Sequence, residues 1–340
     1  MKQQYQKTIA GLNAMVDQGI VPGVSYVLFD HDQEYREVRG LAEIQPDKEQ
    51  LRAGMQYDLA SLTKVIGTVP VIAMALQERK ITLDDPVQKY LSEFSDPRPT
   101  IRHLLTHTSG ICGYIPHRDE LTATELKLAY LTQQHVDESF NRQIKYADVN
   151  FLYLGWIAER IFGKPIQQLI TEKVLEPLKM VEATFRPLSQ NAVPTEIQPQ
   201  RGLIRGVAHD PKAYILGEEC GCAGLFASLD DLLKYSRALI ETNLNDLLKG
   251  KIVDQMFMDQ TLIPEEHSRS LGWKLLHATN DRHLIISHTG FTGTWLILDK
   301  KEDQGMIVLT NRVHPSAKND DYLWARDQLF ATYLHEKESA

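Results

Sequence analysis

Cysteine is scarce in this chain. Its 340 residues hold three, Cys112, Cys220 and Cys222, too few for an even disulfide framework. The Cys220-Gly221-Cys222 spacing suits neither a disulfide scaffold nor a zinc knuckle, so reduced thiols packed in a loop of a cytosolic protein are expected. The first residues, Met1-Lys2-Gln3-Gln4-Tyr5-Gln6-Lys7, lack the apolar core of a signal peptide, and a cytoplasmic location is the matching expectation. The longest nearly unbroken apolar run, Val65 to Leu76, has 12 residues and includes Gly67, Thr68 and Pro70; it is too short to span a bilayer. An excess of positive charge is absent as well. A net charge of -8 and a pI near 5.9 argue against nucleic acid or an anionic membrane as the main partner. There are no repeats or low-complexity segments. No Gly-x-Ser-x-Gly elbow occurs, which argues against an α/β-hydrolase. His103 and His107 stand four apart, but Leu104 rather than Glu follows His103, so the metalloprotease pattern fails and a structural turn is expected. No metal and no organic cofactor is implied, and nothing in the sequence points to an oligomeric state.

What is present belongs to an ordinary globular protein: 43% hydrophobic and 24% charged residues, long enough for one large domain or two lobes. Ile9, Leu12, Met15 and Val16 recur at helical spacing, which predicts an amphipathic helix over residues 3–18. Val24 to Phe29 and Glu34 to Val38 read as a β-hairpin. From Ser61 to about residue 185 the pattern is mainly helical, with Pro70 expected to kink or shorten the first helix. Residues 186–222 are rich in Pro, Gln and Gly and read as a long ordered loop. Ser228 to Glu241 is helical, with Asp230 and Asp231 in its first turn. Leu284 to Ser287, Thr294 to Leu298 and Met306 to Thr310 are short strands, and a last helix starts near Asn319. Strands at both ends of the chain and helices between them predict an α+β fold. It would be one antiparallel sheet of about five strands, flanked by terminal helices, with an inserted helical lobe. The sheet lobe would comprise residues 1–60 and 223–340, the helical lobe residues 61–222, with a cleft between them.

The stretch Tyr57-Asp58-Leu59-Ala60-Ser61-Leu62-Thr63-Lys64 opens the helical part. Residues three apart on a helix stack on one face, about 5–6 Å between Cβ atoms. Ser61 and Lys64 therefore present a hydroxyl beside an amine, the pair a serine nucleophile needs when no histidine serves as its base. Tyr146-Ala147-Asp148 follows 85 residues later, ahead of Asn150-Phe151-Leu152-Tyr153-Leu154-Gly155. His288-Thr289-Gly290 ends a strand and leads through Phe291-Thr292-Gly293 into the next.

In order and spacing these three boxes resemble those of the serine β-lactamase-related family, which joins class C β-lactamases, low-molecular-mass penicillin-binding proteins, D-aminopeptidases and related carboxylesterases; the Ser-x-x-Lys pattern is known from this group. Ile101-Arg102-His103-Leu104-Leu105-Thr106-His107-Thr108-Ser109-Gly110 is similar to a family signature. So are Leu83-Asp84-Asp85-Pro86-Val87 and His209-Asp210 followed by Ala223-Gly224-Leu225-Phe226. The resemblance implies a β-lactamase/transpeptidase-like fold with Ser61, Lys64 and Tyr146 catalytic, and Asp148, His288, Thr289, Gly290 and Phe291 around the substrate or oxyanion. Three positions depart from the pattern: Asp148 stands where class C enzymes have Asn, His288 where β-lactamases usually carry Lys, and Cys222 where related sequences often have His.

The implied chemistry is attack of Ser61 on an acyl carbonyl, with Lys64 or Tyr146 taking its proton. Their ordinary pKa values of roughly 10.4 and 10 need a shift of about 3 units to serve near pH 7. Asp148 would either accept a hydrogen bond from substrate or hold Lys64. An acidic group there favours the charged amine and works against a lysine base. His288 would bind a substrate carboxylate when protonated, or orient the edge strand. The N–H of Ser61 and, by the resemblance, that of Phe291 would bind the oxyanion. A serine hydrolase acting through an acyl-enzyme on esters or small amides leads this reading, with weak β-lactam turnover. The partner is a small-molecule acyl substrate. A D-peptidase or penicillin-binding protein acting on cell-wall peptides is the alternative, and a non-catalytic scaffold on the same fold a third.

Overall fold

The computed structural model describes residues 1–264 and 268–338. The first helix, α1 (Gln6–Asp17), buries Ile9, Leu12 and Met15, the apolar stripe its spacing predicts. Strands β1 (Gly23–Asp30) and β2 (Gln33–Glu43) form the expected hairpin, with Gly23 opposite Gly40 and Asp30 opposite Gln33. A two-residue strand, β3 (Glu49–Gln50), edges β2. The remaining strands come from the last third of the chain: β4 (Lys274–His277), β5 (Leu284–Thr289), β6 (Trp295–Asp299) and β7 (Gln304–Thr310). Together they make one antiparallel sheet of seven strands in the order β4-β5-β6-β7-β1-β2-β3. The two strands beyond the expected five, β3 and β4, are the short edges, where burial imposes little pattern on the sequence.

Helices fill the middle of the chain. A π-helical turn at Lys64–Thr68 runs directly into α2 (Val69–Gln77). Pro70 comes just after the π-helical turn, and the α-helix it opens runs only to Gln77. It falls in the first turn of α2, where its missing N–H leaves no bond broken. The Val65 carbonyl, five residues back, instead accepts the Tyr235 hydroxyl at 2.7 Å. Then come α3 (Ile101–Thr106), α4 (Ala123–Gln133), α5 (Val149–Phe162), α6 (Ile166–Ile170), α7 (Pro211–Leu216), α8 (Leu229–Thr242), α9 (Gly250–Met256) and α10 (Asp321–Glu336). Residues 186–222 are less irregular than their composition predicts. They hold a small hairpin, Ile197–Gln198 against Gly202–Leu203, and α7, whose N-cap Asp210 accepts the N–H groups of Lys212 and Ala213. Six residues are too few for a period to show.

Strands β1 and β7 lie mid-sheet and are buried on both faces, so they read as apolar runs rather than alternations. Val24, Tyr26 and Leu28 point into a core shared with Leu12, Trp295 and Tyr333, under α1 and α10. Val27 and Phe29 point the other way, into the larger core built with α2, α5 and α8. Among the described residues no helix is long and apolar enough to cross a membrane.

The two ends of the chain are fastened by one carboxylate. Glu336, near the end of α10, accepts the N–H of Lys7 at 2.8 Å, the N–H of Thr8 at 2.9 Å and the Thr8 hydroxyl at 2.8 Å. It thereby caps α1, whose own N-cap residue, Tyr5, offers no side-chain cap. Glu336→Ala leaves these buried donors without acceptors and is expected to cost about 1–3 kcal/mol. The urea midpoint should fall, while activity per folded molecule stays unchanged.

Candidate active site

The nucleophile sits on a turn held from several sides. Tyr57–Asp58 pairs with Phe226–Ala227, and the buried Asp58 carboxylate accepts the N–H of Ala60 at 2.8 Å and of His209 at 2.7 Å. Ala60 adopts φ 44°, the left-handed region that a residue with a Cβ seldom enters. The surrounding bonds over-determine this strained position, as is typical beside functional groups. The turn delivers Ser61 to the head of the π-helical turn. There the Lys64 Nζ donates to Ser61 Oγ at 2.8 Å, to Asp148 Oδ1 at 2.8 Å and to the Cys222 carbonyl at 2.9 Å. An ammonium has three protons, and each has an acceptor here.

Lys64 is fully buried. Burial alone would favour the neutral amine, but the Asp148 carboxylate outweighs it and holds Lys64 well above its ordinary pKa. Lys64 is therefore an ammonium at neutral pH. Asp148 is in turn held far below the usual carboxylate range: burial opposes this, and Lys64 and Lys212 overcome it. Lys212 Nζ lies 3.1 Å from Asp148 Oδ2 and 2.8 Å from Asp210 Oδ2. Both oxygens of Asp148 are thus engaged by lysines, and of its two expected roles the geometry favours holding Lys64.

Tyr146 and Asp148 are positioned by the turn that follows α3. His107 takes φ 57° at the end of that helix and accepts the N–H of Ala147 at 3.3 Å on Nδ1. The same nitrogen lies 3.0 Å from the Asn150 amide, and the Ser109 hydroxyl donates to Asn150 Oδ1 at 2.6 Å. His107 and Ser109 are therefore scaffold for the second box, matching the expected structural turn. The Tyr146 ring lies 4.4 Å from that of His107 and 6.2 Å from that of His288, and is 44% exposed. The Lys64 ammonium stands 5.3 Å from its centroid.

The third box is fastened to the segment just before the nucleophile. Thr292 donates its hydroxyl to the Asp58 carbonyl at 2.6 Å, and Thr294 to the Leu59 carbonyl at 3.1 Å. Gly290 fits because a Cβ there would lie 2.5 Å from the Leu59 carbonyl oxygen. Among the described residues, the N–H groups of Ser61 and Phe291 donate to no protein acceptor, as an oxyanion site requires. His288 is buried, with Nδ1 3.1 Å from the Thr289 carbonyl. Burial, reinforced by Lys64 and Arg269, lowers its pKa to about 3. It is neutral in the working range, so the carboxylate-binding role expected of a protonated His288 is not the one its surroundings favour. Thr289 is linked to His288 through that carbonyl.

Reading the sequence missed two cations here. Arg269 has its guanidinium 5.8 Å from the Tyr146 centroid and raises the local potential at His107 and His288. It lies in no periodic segment, and only the folded chain brings it to Tyr146. Lys212 hid in the presumed loop. The buried Cys220 and Cys222 sulfurs lie 3.6 Å apart as thiols, and it is the backbone carbonyl of Cys222 that serves the site. Among the described residues no cluster of His, Cys, Asp and Glu is arranged to hold a metal ion.

A family model described as Beta-lactamase matches residues 7–329. Among curated proteins, the chain is 27% identical to a protein of Escherichia coli O157:H7 named "Putative D-alanyl-D-alanine carboxypeptidase". That match covers 94% of this chain and 88% of the relative. It is 24% identical to the N-acetylmuramyl-L-alanine amidase of Bacillus subtilis, over 78% of this chain and 69% of that one. In fold it is similar to a class C β-lactamase mutant (TM-score 0.76, 18% identity, 97% of this chain and 98% of that chain). A β-lactamase/D-alanine carboxypeptidase from Pseudomonas syringae is comparably similar (TM-score 0.76, 15% identity, 100% and 99%).

Three buried histidines are held neutral. Burial lowers His103 to about 4 and His288 to about 3, and His107 well below its usual value. The unfolded chain takes a proton on each near pH 6.5, so it binds more protons than the native state as pH falls. Each histidine thus removes stability from about pH 6.5 downwards, until its folded value is reached. Replacing His103 by Asn is expected to flatten the fall in unfolding free energy between pH 6.5 and 4, by roughly 3 kcal/mol at most. Urea titrations of the two proteins across that range check this; parallel curves would refute it.

Proposed function

We propose, from the premise that the chain belongs to the beta-lactamase family and is a serine hydrolase, that it cleaves amide or ester bonds through an acyl-enzyme on Ser61, and that its substrate carries a carboxylate near the scissile bond. The observation that carries the first part is the Lys64 ammonium donating to Ser61 Oγ at 2.8 Å. Because Oγ accepts from Lys64, the hydroxyl proton of Ser61 points away from Lys64, which favours Tyr146 over Lys64 as its acceptor. In this reading Tyr146 takes that proton, with the Lys64 ammonium and the Arg269 guanidinium 5.3 and 5.8 Å from its ring centroid. Ser61 Oγ bonds to the acyl carbon, its proton moves to Tyr146, and the N–H groups of Ser61 and Phe291 bind the oxyanion, each worth roughly 2.7–4 kcal/mol. Tyr146 then returns the proton to the leaving group, and water releases the acyl group.

The ranking of substrates changes with Arg269 in view. Esters lead on sequence grounds, but the positive charge of Arg269, 5.8 Å from the centroid of the exposed Tyr146 ring, favours a substrate bearing a carboxylate. The relative named as a D-alanyl-D-alanine carboxypeptidase supports the same class, a peptide cut beside its terminal carboxylate. The neutral, buried His288 keeps ester hydrolysis as the second reading, because a cation at the head of the third box is missing.

Intact-mass measurement after mixing with benzylpenicillin, a carboxylate-bearing acyl donor, should show a Ser61-dependent adduct or Ser61-dependent loss of the drug. Arg269→Ala is expected to slow that acylation at least tenfold, while hydrolysis of neutral p-nitrophenyl acetate changes less than threefold. Equal effects on both would sink the carboxylate assignment, and retained turnover in Ser61→Ala would sink the nucleophile.

Asp148→Asn separates the two candidate bases. It removes the carboxylate that holds Lys64 charged, so the ammonium is lost at lower pH. If the ammonium form is the working one, the alkaline limb of kcat/KM moves down in pH and activity at pH 7 does not rise. A rise at pH 7 would mean that neutral Lys64 is the base.

A further inference from the structure

Four charges of alternating sign run away from the nucleophile: Lys64, Asp148, Lys212 and Asp210, joined by contacts of 2.8, 3.1 and 2.8 Å. The first two belong to the reading of the site given above. The third is not explained by it. Lys212 is a buried lysine, its side chain only 10% exposed, on a six-residue helix that packs against α4. Taking an ammonium out of water is costly unless it is paired, and this one is paired on both sides. Its backbone N–H also bonds to Asp210 Oδ1 at 2.8 Å, so the aspartate that caps α7 also steadies the lysine of the same helix.

We propose that Lys212 is a positioning residue for acyl transfer: it fixes the orientation of the Asp148 carboxylate by holding Oδ2, so that Oδ1 stays on Lys64 and Lys64 stays on Ser61. The inference rests on the acyl-enzyme reading. Asp148 sits at the head of α5 with no cap bond of its own to the helix, and its side chain is about one-third exposed toward solvent. With Lys212 removed, one oxygen of a cleft-facing carboxylate loses its partner, and the group gains freedom to turn away from Lys64. Lys212 also shares the charge of Asp148, so that Lys64 does not face a whole uncompensated anion. The other titratable groups that sense Asp148 are His107, His288 and Cys222. The first two are neutral imidazoles, and the third is a thiol that burial and Cys220 keep protonated, so none replaces Lys212 as a cation.

The test is a double-mutant cycle read on Ser61-dependent hydrolysis of p-nitrophenyl acetate, with rescue by arginine. Lys212→Gln is expected to lower kcat/KM at least tenfold, mainly in kcat, in the otherwise unchanged protein. In an Asp148→Asn background the same substitution should cost less than twofold, because the carboxylate to be oriented is gone. Lys212→Arg should recover most of the activity. If turnover in the Asp148→Asn background is too slow, the cycle is read from the rate of Ser61 labelling by a fluorophosphonate. Thermal unfolding of each variant separates misfolding from misorientation; if Lys212→Gln does not fold, Lys212→Met takes its place in the cycle, with the same losses expected. Equal losses in both backgrounds, or no loss in either, overturn the proposal. Hydrolysis that persists in Ser61→Ala would overturn the acyl-enzyme reading instead, and is distinguishable for that reason.

Discussion

A lysine ammonium sealed from water is the constraint on which this site turns. Burying Lys64 without partners would cost several kcal/mol or strip its proton. The fold avoids both by supplying three acceptors, one local and two distant in the chain: Ser61 one helical turn away, Asp148 at the head of α5, and the carbonyl of Cys222. Because each acceptor takes one proton, displacement of any of them disturbs the others. The nucleophile, the second box and the loop at 220–222 are thus held to one another through a single nitrogen.

The sheet contributes by bringing the third box to the same place. Strands β5 and β6 meet at a turn whose Thr292 and Thr294 bond to the carbonyls of Asp58 and Leu59, so the residues just before Ser61 are shared between sheet and helices. Gly290 lets the two backbones approach to a distance no side chain would permit. The strained Ala60 is the local consequence: a turn between a strand and a helix, fixed at both ends, leaves it little other conformation. The N–H groups of Ser61 and Phe291, which donate to no acceptor among the described residues, belong to the two segments that these bonds join.

Several buried polar groups serve this arrangement at one remove. His107, neutral and left-handed at the end of α3, holds the second box through Ala147 and Asn150 while its ring packs on Tyr146. Glu336 ties the last helix to the first and so closes the layer behind the sheet. In both cases a polar side chain replaces a backbone partner that the secondary structure cannot provide.

Much of this was legible in the residues. The three boxes, the hairpin at the start, the strands near the end and the helix after Ser228 all carry local signals: a three-residue offset, alternation or apolar runs between turns, and an acidic first turn after a capping serine. The sequence alone determined the nucleophile and its neighbours Lys64 and Tyr146 as candidates, the antiparallel sheet drawn from both ends, and the family. What it did not determine depends on contacts between residues far apart. Edge strands β3 and β4 are too short to show a period, and α7 is hidden in a stretch whose composition reads as loop. Whether Lys64 is charged was decided by Asp148, 84 positions away, and Asp148 is in turn paired with Lys212, another 64 beyond it. Arg269 reached Tyr146 only through the fold. Local sequence sets which groups can ionise and which backbone they sit on; burial and distance set which of them do, and those exist only once the chain has closed on itself.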